Sequence, residues 1–427
     1  MNSTHVLRSL AVTVVCIAAA TVARADPTLT TLVSFNGADG AGPLGSLVAD
    51  GNGNLYGTTR NGGAYGYGTA FELSGPAHQT QTTLVSFNKS NGANPAGGLT
   101  FDSAGNLFGS TSGGGDYNLG TVFELSGPSH ETLSTLKSFS GYDGASPNDG
   151  LLIDSNGNVY GTTEDRGPGN PGNGTVFELS GPGHQTLTTL VAFNQSNGAA
   201  PLAGLTADAA GNLYGTTSAF IPPSGASGGI VFELSGANHQ TFRVAANFTN
   251  AVGPRSPAAA LTIDSHGNLY GTSQFGGNFV DGTVFELAAN NPQTVTVLKN
   301  FDGFNGNDPV GSLLIDTAGN LFGTTSTGVD DGTVFKISLS GDGPPTFTNL
   351  AIVNGPDGNY IGSGLTADAY GNLYGTTMGG GANSEGTIFE ITGAGFAVPE
   401  PSILPLLTVG GLGLLFRRRR LKGQVIG

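Results

Sequence analysis

The chain repeats one arrangement of apolar and polar positions seven times. Each repeat opens with a short apolar stretch ending in Asp, turns through Gly and Asn, and returns as a second apolar stretch. The most regular part is Gly-Asn-Leu-Tyr-Gly, with Val for Leu or Phe for Tyr, at residues 53–57, 105–109, 157–161, 211–215, 267–271, 319–323 and 371–375. Successive copies begin 52 to 56 residues apart. A fixed period of about 50 residues, built from short strands, is typical of a β-propeller.

The second repeat shows which elements this pattern predicts. Residues 99–102 and 107–111 read as two short strands around a turn, and a Gly-rich loop leads to a third strand at 120–125. A fourth strand at 133–139 alternates apolar and polar side chains, as expected of a half-buried strand. Four short strands in each repeat predict a four-stranded antiparallel blade.

The array of repeats starts and stops within a repeat. The last repeat ends after its third strand, at residues 386–391, and an orphan copy of the fourth strand precedes the first repeat at residues 29–35. The seven inner strands begin at Leu47, Leu99, Leu151, Leu205, Leu261, Leu313 and Leu365. We therefore predict an all-β, seven-bladed propeller over residues 26–397, in which the N-terminal strand completes the last blade and removes open sheet edges.

The two ends of the chain differ from the repeats. Arg8, an apolar run and the small-x-small site before residue 26 predict a signal peptide over residues 1–25, cleaved after Ala25. The only cysteine, Cys16, lies in that segment, so we expect no disulfide in the mature protein. At the other end, the apolar run 403–416 predicts a transmembrane helix of about 21 Å, which is short for a bilayer.

The C-terminal segment, residues 398–427, resembles the PEP-CTERM sorting signal of Gram-negative bacteria. The resemblance rests on the short apolar span and on two motifs, Val398, Pro399, Glu400 and Pro401, then Arg417, Arg418, Arg419 and Arg420. It implies that an exosortase-type protease removes the tail from an inner-membrane intermediate. The protein would then reach the cell surface or an exopolysaccharide matrix. A permanent membrane anchor is the alternative interpretation.

The repeats also resemble a known class. The tandem Gly-Asn-Leu-Tyr-Gly-Thr-Thr units are similar to NHL-type propeller repeats and to the repeats of other PEP-CTERM proteins. The likeness implies that the Leu-Thr-x-Asp strand is innermost in each blade and that the strand ending in Phe is outermost. It implies no particular activity.

The charge of the repeat region restricts its partners. Residues 26–397 hold eight Lys and Arg against 29 Asp and Glu, a formal charge of −21. Such a surface repels phosphate backbones, which excludes nucleic acid. The expected partners are the exosortase-type protease, the membrane before processing, and an exopolysaccharide or a surface protein. We expect the propeller itself to be a monomer.

One acidic position recurs four residues before the motif Asn. It is occupied by Asp50, Asp102, Asp154, Asp208, Asp264, Asp316 and Asp368. We interpret these as structural residues that accept backbone N–H groups of the turn. The turns at 50–54 and 154–158 look like the start of a Ca²⁺ loop but lack its Glu at position twelve. We predict no cofactor, with Ca²⁺ at these two turns as the alternative.

Other polar residues recur without forming a catalytic arrangement. The histidines before the outer strands, one per blade, should lie more than about 10 Å apart and cannot share a metal; they are His78, His130, His184 and His239. His266 stands alone and is assigned no role. Glutamates after the third-strand Phe should form a solvated or hydrogen-bonded rim; they are Glu72, Glu124, Glu178, Glu233, Glu286 and Glu390. We therefore predict that the protein is not an enzyme. A propeller lyase or lactonase acting on an extracellular polysaccharide or small molecule is the alternative.

The copies differ most in the loop between the second and third strands. Propeller topology places these loops on the same face as the connectors between blades. Aromatic and acidic residues mix there, and we expect them to be exposed: Tyr65, Tyr67, Asp116, Phe220, Phe275 and Asp281. Such a surface suits contact with a glycan or a peptide, although ordinary loop variation gives the same pattern. The predicted function is a structural or binding module of the cell surface or matrix.

Overall fold

The computed structural model describes residues 26–168, 172–219, 228–248, 253–328, 330–339 and 343–399. The predicted cleavage site at Ala25, the span 403–416 and the sorting residues Glu400, Pro401 and Arg417 to Arg420 lie outside these ranges. Within these ranges, no helix is both long and apolar enough to cross a membrane.

Seven four-stranded antiparallel sheets follow one another along the chain. The N-terminal strand is β1 (Thr28–Ser34). The first four blades are β2 (Val48–Ala49), β3 (Leu55–Thr59), β4 (Thr69–Ser74), β5 (Thr80–Ser86); β6 (Thr100–Phe101), β7 (Leu107–Thr111), β8 (Thr121–Ser126), β9 (Thr132–Ser138); β10 (Leu152–Ile153), β11 (Val159–Thr163), β12 (Thr175–Ser180), β13 (Thr186–Ala192); and β14 (Thr206–Ala207), β15 (Leu213–Thr217), β16 (Ile230–Ser235), β17 (Thr241–Asn247).

The remaining three blades follow the same order, with one small extra sheet. They comprise β18 (Pro254–Arg255), β19 (Thr262–Ile263), β20 (Leu269–Ser273), β21 (Phe275–Gly276), β22 (Thr283–Ala288), β23 (Asn291–Asn300); β24 (Leu314–Ile315), β25 (Leu321–Thr325), β26 (Thr333–Ser338), β27 (Thr346–Ile352); and β28 (Thr366–Ala367), β29 (Leu373–Thr377), β30 (Thr387–Thr392). Strands β18 and β21 pair only with each other. Three short 3-10 helices precede outer strands, at Pro76–His78, Pro182–His184 and Ala237–His239.

The last blade is built from both ends of the chain. Its strand order is β1-β30-β29-β28, with Leu29 opposite Ile391 and Ser34 opposite Thr387. The Phe35 N–H extends this ladder by donating to the Gly386 carbonyl at 3.0 Å. The predicted seven-bladed fold and its closure by the N-terminal strand are therefore confirmed, and β30 is paired on both sides at the junction.

The Gly-Thr-Thr part of each motif is explained by packing. A Cβ atom on Gly57 would lie 2.7 Å from both the Phe71 ring and the Leu47 side chain, so the blade core has room only for glycine there. Phe71 is fully buried in that core. The equivalent contact occurs at all seven copies, Gly57, Gly109, Gly161, Gly215, Gly271, Gly323 and Gly375.

The two threonines of the motif bond in different directions. Thr58 donates to the Gly97 carbonyl of the next blade at 2.9 Å, whereas Thr59 shares a 2.8 Å hydrogen bond with Thr69 of its own blade. Both residues are buried, so these bonds satisfy hydroxyls that would otherwise be costly. The fourth blade departs from this pattern, because the buried Thr216 hydroxyl has no hydrogen-bond partner among the described residues.

Candidate functional site

The seven recurrent aspartates organise the turns between first and second strands. Asp50 Oδ1 accepts from the backbone N–H groups of Asn52 and Asn54, both at 2.8 Å, and Asp50 Oδ2 accepts from the Asn54 amide at 2.9 Å. Gly53 completes the turn at φ 85°, a left-handed conformation that favours glycine. Equivalent bonds to the motif Asn form at Asp102, Asp154, Asp208, Asp264, Asp316 and Asp368. These carboxylates face donors of their own turns.

Five of the six recurrent glutamates contact a tyrosine hydroxyl or, in one blade, a cation. The Tyr56 hydroxyl lies 3.2 Å from Glu72 Oε1, and the same tyrosine–glutamate bond occurs at Glu178, Glu286 and Glu390. Glu233 instead pairs with Arg243. Burial, Glu233 and Asp208 together raise the pKa of Tyr214 to about 12. These tyrosines therefore keep their protons at neutral pH and act as hydrogen-bond donors within the five blades that have them.

The four recurrent histidines join adjacent blades. His130 Nε2 lies 2.9 Å from the Gly105 carbonyl of its own blade, and its ring packs against Tyr56 of the preceding blade at 5.2 Å between centroids. His78, His184 and His239 repeat both contacts, on Tyr374, Phe108 and Tyr160. Sequence analysis found their common position but not this role, because each contact joins two repeats. His266 is exposed and lies 3.8 Å from Asp264.

Residues 393–399 continue this arrangement at the C-terminal end. Phe396 packs on Phe322 of the preceding blade at 5.2 Å, as the histidines pack in other blades. Ala397 is then fixed to the sixth blade: its N–H donates to Asp316 Oδ2 at 3.2 Å, and its carbonyl accepts from the Thr317 N–H at 3.0 Å. The first two sorting residues, Val398 and Pro399, lie against a groove near the inner strands. The sorting segment thus leaves directly from the face that carries the aspartate turns, called here the turn face.

The opposite face, called here the loop face, carries the loops between second and third strands and the connectors between blades. Bridges such as Ala41 with Asn61 and Ala93 with Gly113 hold each loop against a connector. Seven aromatic side chains are exposed among the described residues, and all but Tyr370 lie on this face: Tyr65, Tyr117, Tyr142, Phe275, Phe279 and Phe304.

The predicted exposure of the loop residues is confirmed for some of them and wrong for others. Tyr65, Asp116 and Phe275 are exposed on the loop face. The expected exposure is wrong for Tyr67 and Asp281, which are half-buried; Tyr67 packs against the core between the first two blades. Phe220 lies outside the described residues. Sequence analysis missed Tyr142 and Phe304, both strongly exposed, because it compared only the loops and not the connectors.

A cavity of about 250 Å³ opens at the centre of the loop face, and all seven blades contribute to its wall. Its single lining carboxylate belongs to Asp149, two residues before the inner-strand Leu151. Other blades have small residues at this position, namely Gly45, Gly97, Ala203, Ala259, Gly311 and Ser363. The sequence signal for Asp149 is its departure from the small residues at this repeat position, which lies two residues before the predicted start of the inner strand.

The repeats place the chain in a known family. A model of the Gloeobacter/Verrucomicrobia repeat matches three overlapping stretches, residues 18–172, 76–253 and 224–398. The chain belongs to the Gloeobacter/Verrucomicrobia repeat family. Residues 397–420 of this Gloeobacter/Verrucomicrobia repeat protein match the PEP-CTERM protein-sorting motif. Both resemblances predicted from the sequence are therefore confirmed, and the protein is an exported exosortase substrate with a propeller fold.

Solved structures similar to this Gloeobacter/Verrucomicrobia repeat protein share its fold. One is a puromycin-hydrolyzing peptidase of Mycobacterium tuberculosis, with TM-score 0.54 and 13% identity over 88% of this chain and 57% of that one. Another is PorZ, a surface component of the type-IX secretion system of Porphyromonas gingivalis, with TM-score 0.50 and 16% identity over 84% and 47%. The chain spans about half the length of these two proteins, and likeness at this identity shows the fold alone. No curated protein matches the chain.

Proposed function

We propose that the mature protein is a non-catalytic binding module of the cell surface or matrix, and that its loop face contacts an extracellular glycan. The observation that carries this proposal is the distribution of exposed aromatic side chains: of the seven in the part of the chain that the structure describes, six lie on the loop face. Exposed apolar side chains gathered on one face of a soluble protein commonly mark an interaction surface when they form a patch. Aromatic side chains also supply much of the binding energy at recognition surfaces.

The chemistry of the loop face favours a neutral or cationic polymer. Its loops are rich in glycine, serine and asparagine, which offer hydrogen bonds, while Tyr117, Tyr142 and Phe304 offer flat apolar rings. Flat rings beside hydrogen-bonding groups suit sugar rings, which have apolar faces and hydroxyl edges. The charge of −21 over residues 26–397 opposes an anionic polymer such as a polyuronate.

The position of the sorting segment agrees with this assignment. Ala397 is bonded to Thr317 on the turn face, so residues 398 onward start there without a long linker. While the tail remains in the membrane, the turn face lies towards the bilayer and the loop face points away from it. The loop face would then be accessible both in the intermediate and after exosortase-type processing.

Binding to polysaccharide extracted from the surface of the producing cells tests the proposal. We expect the single variants Tyr117→Ala, Tyr142→Ala and Phe304→Ala each to weaken retention of the mature protein by on the order of tenfold, as loss of an aromatic anchor does. Tyr370→Ala is the matched control, because Tyr370 is 89% exposed but lies on the turn face. Equal effects of all four variants, or no retention of the unmodified protein, would contradict the proposal. Retention of a surface protein in place of polysaccharide would identify the other partner class.

A further inference from the structure

The central cavity holds a carboxyl group that no basic side chain faces among the described residues. Asp149 Oδ1 accepts from the Gly150 N–H at 2.7 Å, and Oδ2 accepts from the Gly204 N–H of the next blade at 2.6 Å. Both donors are uncharged, and no Lys, Arg or His lines the cavity among the described residues. The carboxylate is deep in the channel but remains in contact with the cavity, and burial raises the pKa of Asp149 despite these two bonds.

A second carboxylate lies behind the cavity wall. Asn148, which also lines the cavity, donates its side-chain amide to Glu164. Burial and the neighbouring Asp165 raise the pKa of Glu164, with the Asn148 bond acting in the opposite direction. The cavity wall contributed by the third blade therefore has acidic residues, which disfavour the binding of an anion. A buried carboxylate without a counter-charge is costly, and a bound cation would offset that cost.

We propose that this cavity binds an organic ammonium group, the amine of an amino sugar, with Asp149 as its counter-charge. The remaining wall offers hydroxyl and amide groups from Ser46, Ser312 and Gln274, suited to the hydroxyls of the same sugar. A cavity of 250 Å³ lies just below the usual range for ligand sites, which fits one sugar unit better than a folded chain.

A metal ion fits this wall less well than an ammonium group. Ca²⁺ takes six to eight oxygen ligands and usually several carboxylates. Asp149 is the single lining carboxylate, and no group of three metal-ligating acidic, His or Cys side chains occurs in the part of the chain that the structure describes. This inference rests on the proposed function, because the amino sugar is taken to be a unit of the polymer that the loop face binds. Binding in the cavity does not itself require the exposed aromatic side chains of the loops.

Calorimetric titration of the mature protein with a glucosamine tetramer and a glucose tetramer tests the inference. The two probes differ by an amine in place of a hydroxyl, and binding is measured near neutral pH, because acidification would protonate the carboxyl of Asp149, whose pKa is raised by burial. We expect the glucosamine tetramer to bind on the order of 30-fold more tightly, and Asp149→Asn to abolish this preference, as loss of a desolvated charge pair does. Glu131→Gln, at an exposed carboxylate on the turn face, should leave the preference unchanged.

The outcomes separate this inference from the proposed function. Equal affinity for the two tetramers, or a preference that survives Asp149→Asn, overturns the inference. The proposed function stands in that case if Tyr117→Ala still weakens retention of polysaccharide. An amine preference that depends on Asp149, with no effect of the loop-face variants, supports the cavity site and contradicts the loop-face proposal. Binding of Ca²⁺ alone that Asp149→Asn removes would overturn the ammonium assignment.

A second variant protects the test against loss of folding. Asp149 bridges two blades through Gly204, so Asp149→Asn could destabilise the channel. Ala96→Met keeps the carboxylate but adds a long side chain to the cavity wall. We expect Ala96→Met to lower the affinity for the glucosamine tetramer by on the order of tenfold at an unchanged melting temperature. Undiminished affinity in a folded Ala96→Met protein would place the ligand elsewhere and overturn the inference.

Discussion

Most recurrent polar side chains in this protein stabilise the blade at a fixed position of the repeat. Each recurrent Asp faces two backbone donors and one amide of its own turn, as Asp154 does with Asn156 and Asn158. Burial would raise the pKa of Asp50, Asp154, Asp208 and Asp264, but these hydrogen bonds hold each pKa below the usual aspartate value. The turns are therefore stabilised by the charged form of the carboxylate.

This shift predicts how stability depends on pH. Because the folded-state pKa lies below the unfolded value of 3.8, the contribution is fully present above pH 3.8 and is lost as pH falls through the folded pKa. We expect Asp154→Asn to be less stable than the unmodified protein at neutral pH, since its amide would face the Asn158 amide donor. We also expect the difference to shrink on acidification, which melting curves between neutral and strongly acidic pH would measure. A difference independent of pH would argue against a charged turn.

Adjacent blades contact each other through residues that belong to successive repeats of the sequence. The strands could be predicted from the sequence because all seven repeats share the same alternation of apolar and polar residues and the same turn residues. The histidine contacts could not be predicted. His130 of the second repeat packs against Tyr56 of the first, and no local sequence pattern marks that pair. Alignment of the seven connectors marks Asp149 as the one acidic residue at its position, but only the structure shows that this position faces the central cavity.

The histidine contacts make a prediction about blade cohesion. His130→Ala removes both the ring contact with Tyr56 and the 2.9 Å hydrogen bond to Gly105, so we expect it to cost about 1–2 kcal/mol of unfolding free energy. His130→Phe should recover the ring term, because Phe396 fills the equivalent place in the last blade. His266→Ala, at an exposed histidine with no ring contact among the described residues, serves as the control. Equal destabilisation by the two alanine variants would show that the inter-blade contact is not the cause.

At the scale of the whole molecule, the blades form a ring that depends on one junction. Six blades are each made from consecutive residues, while the seventh needs β1 to pair with β30, more than 350 residues later. The sequence allowed this junction to be predicted because the orphan strand and the incomplete repeat complement each other. The path of residues 393–399 over the sixth blade could not be predicted, since it rests on non-repeated contacts such as Ala397 with Thr317.

Removing the junction strand should weaken the entire ring. Deleting residues 26–37 leaves β30 with an unpaired outer edge and removes Phe35 from the core between the seventh and first blades, which contains Ile388. We expect this deletion to lower the melting temperature far more than shortening the loop at 112–118, which joins strands that remain paired. Thermal melts of the two variants beside the unmodified protein measure the difference. Similar small losses in both would mean that the ring does not need its closing strand.

The junction also orders events in time. Synthesis delivers the N-terminus first, so β1 must wait with an open edge until nearly the whole array has emerged. Its partner β30 ends only six residues before the first sorting residue, Val398. A chain interrupted anywhere in the array would therefore have neither a closed ring nor a sorting signal, and would be left as an open-edged fragment for proteolysis. The strand that completes the ring and the sorting signal thus lie in the same short stretch of the chain.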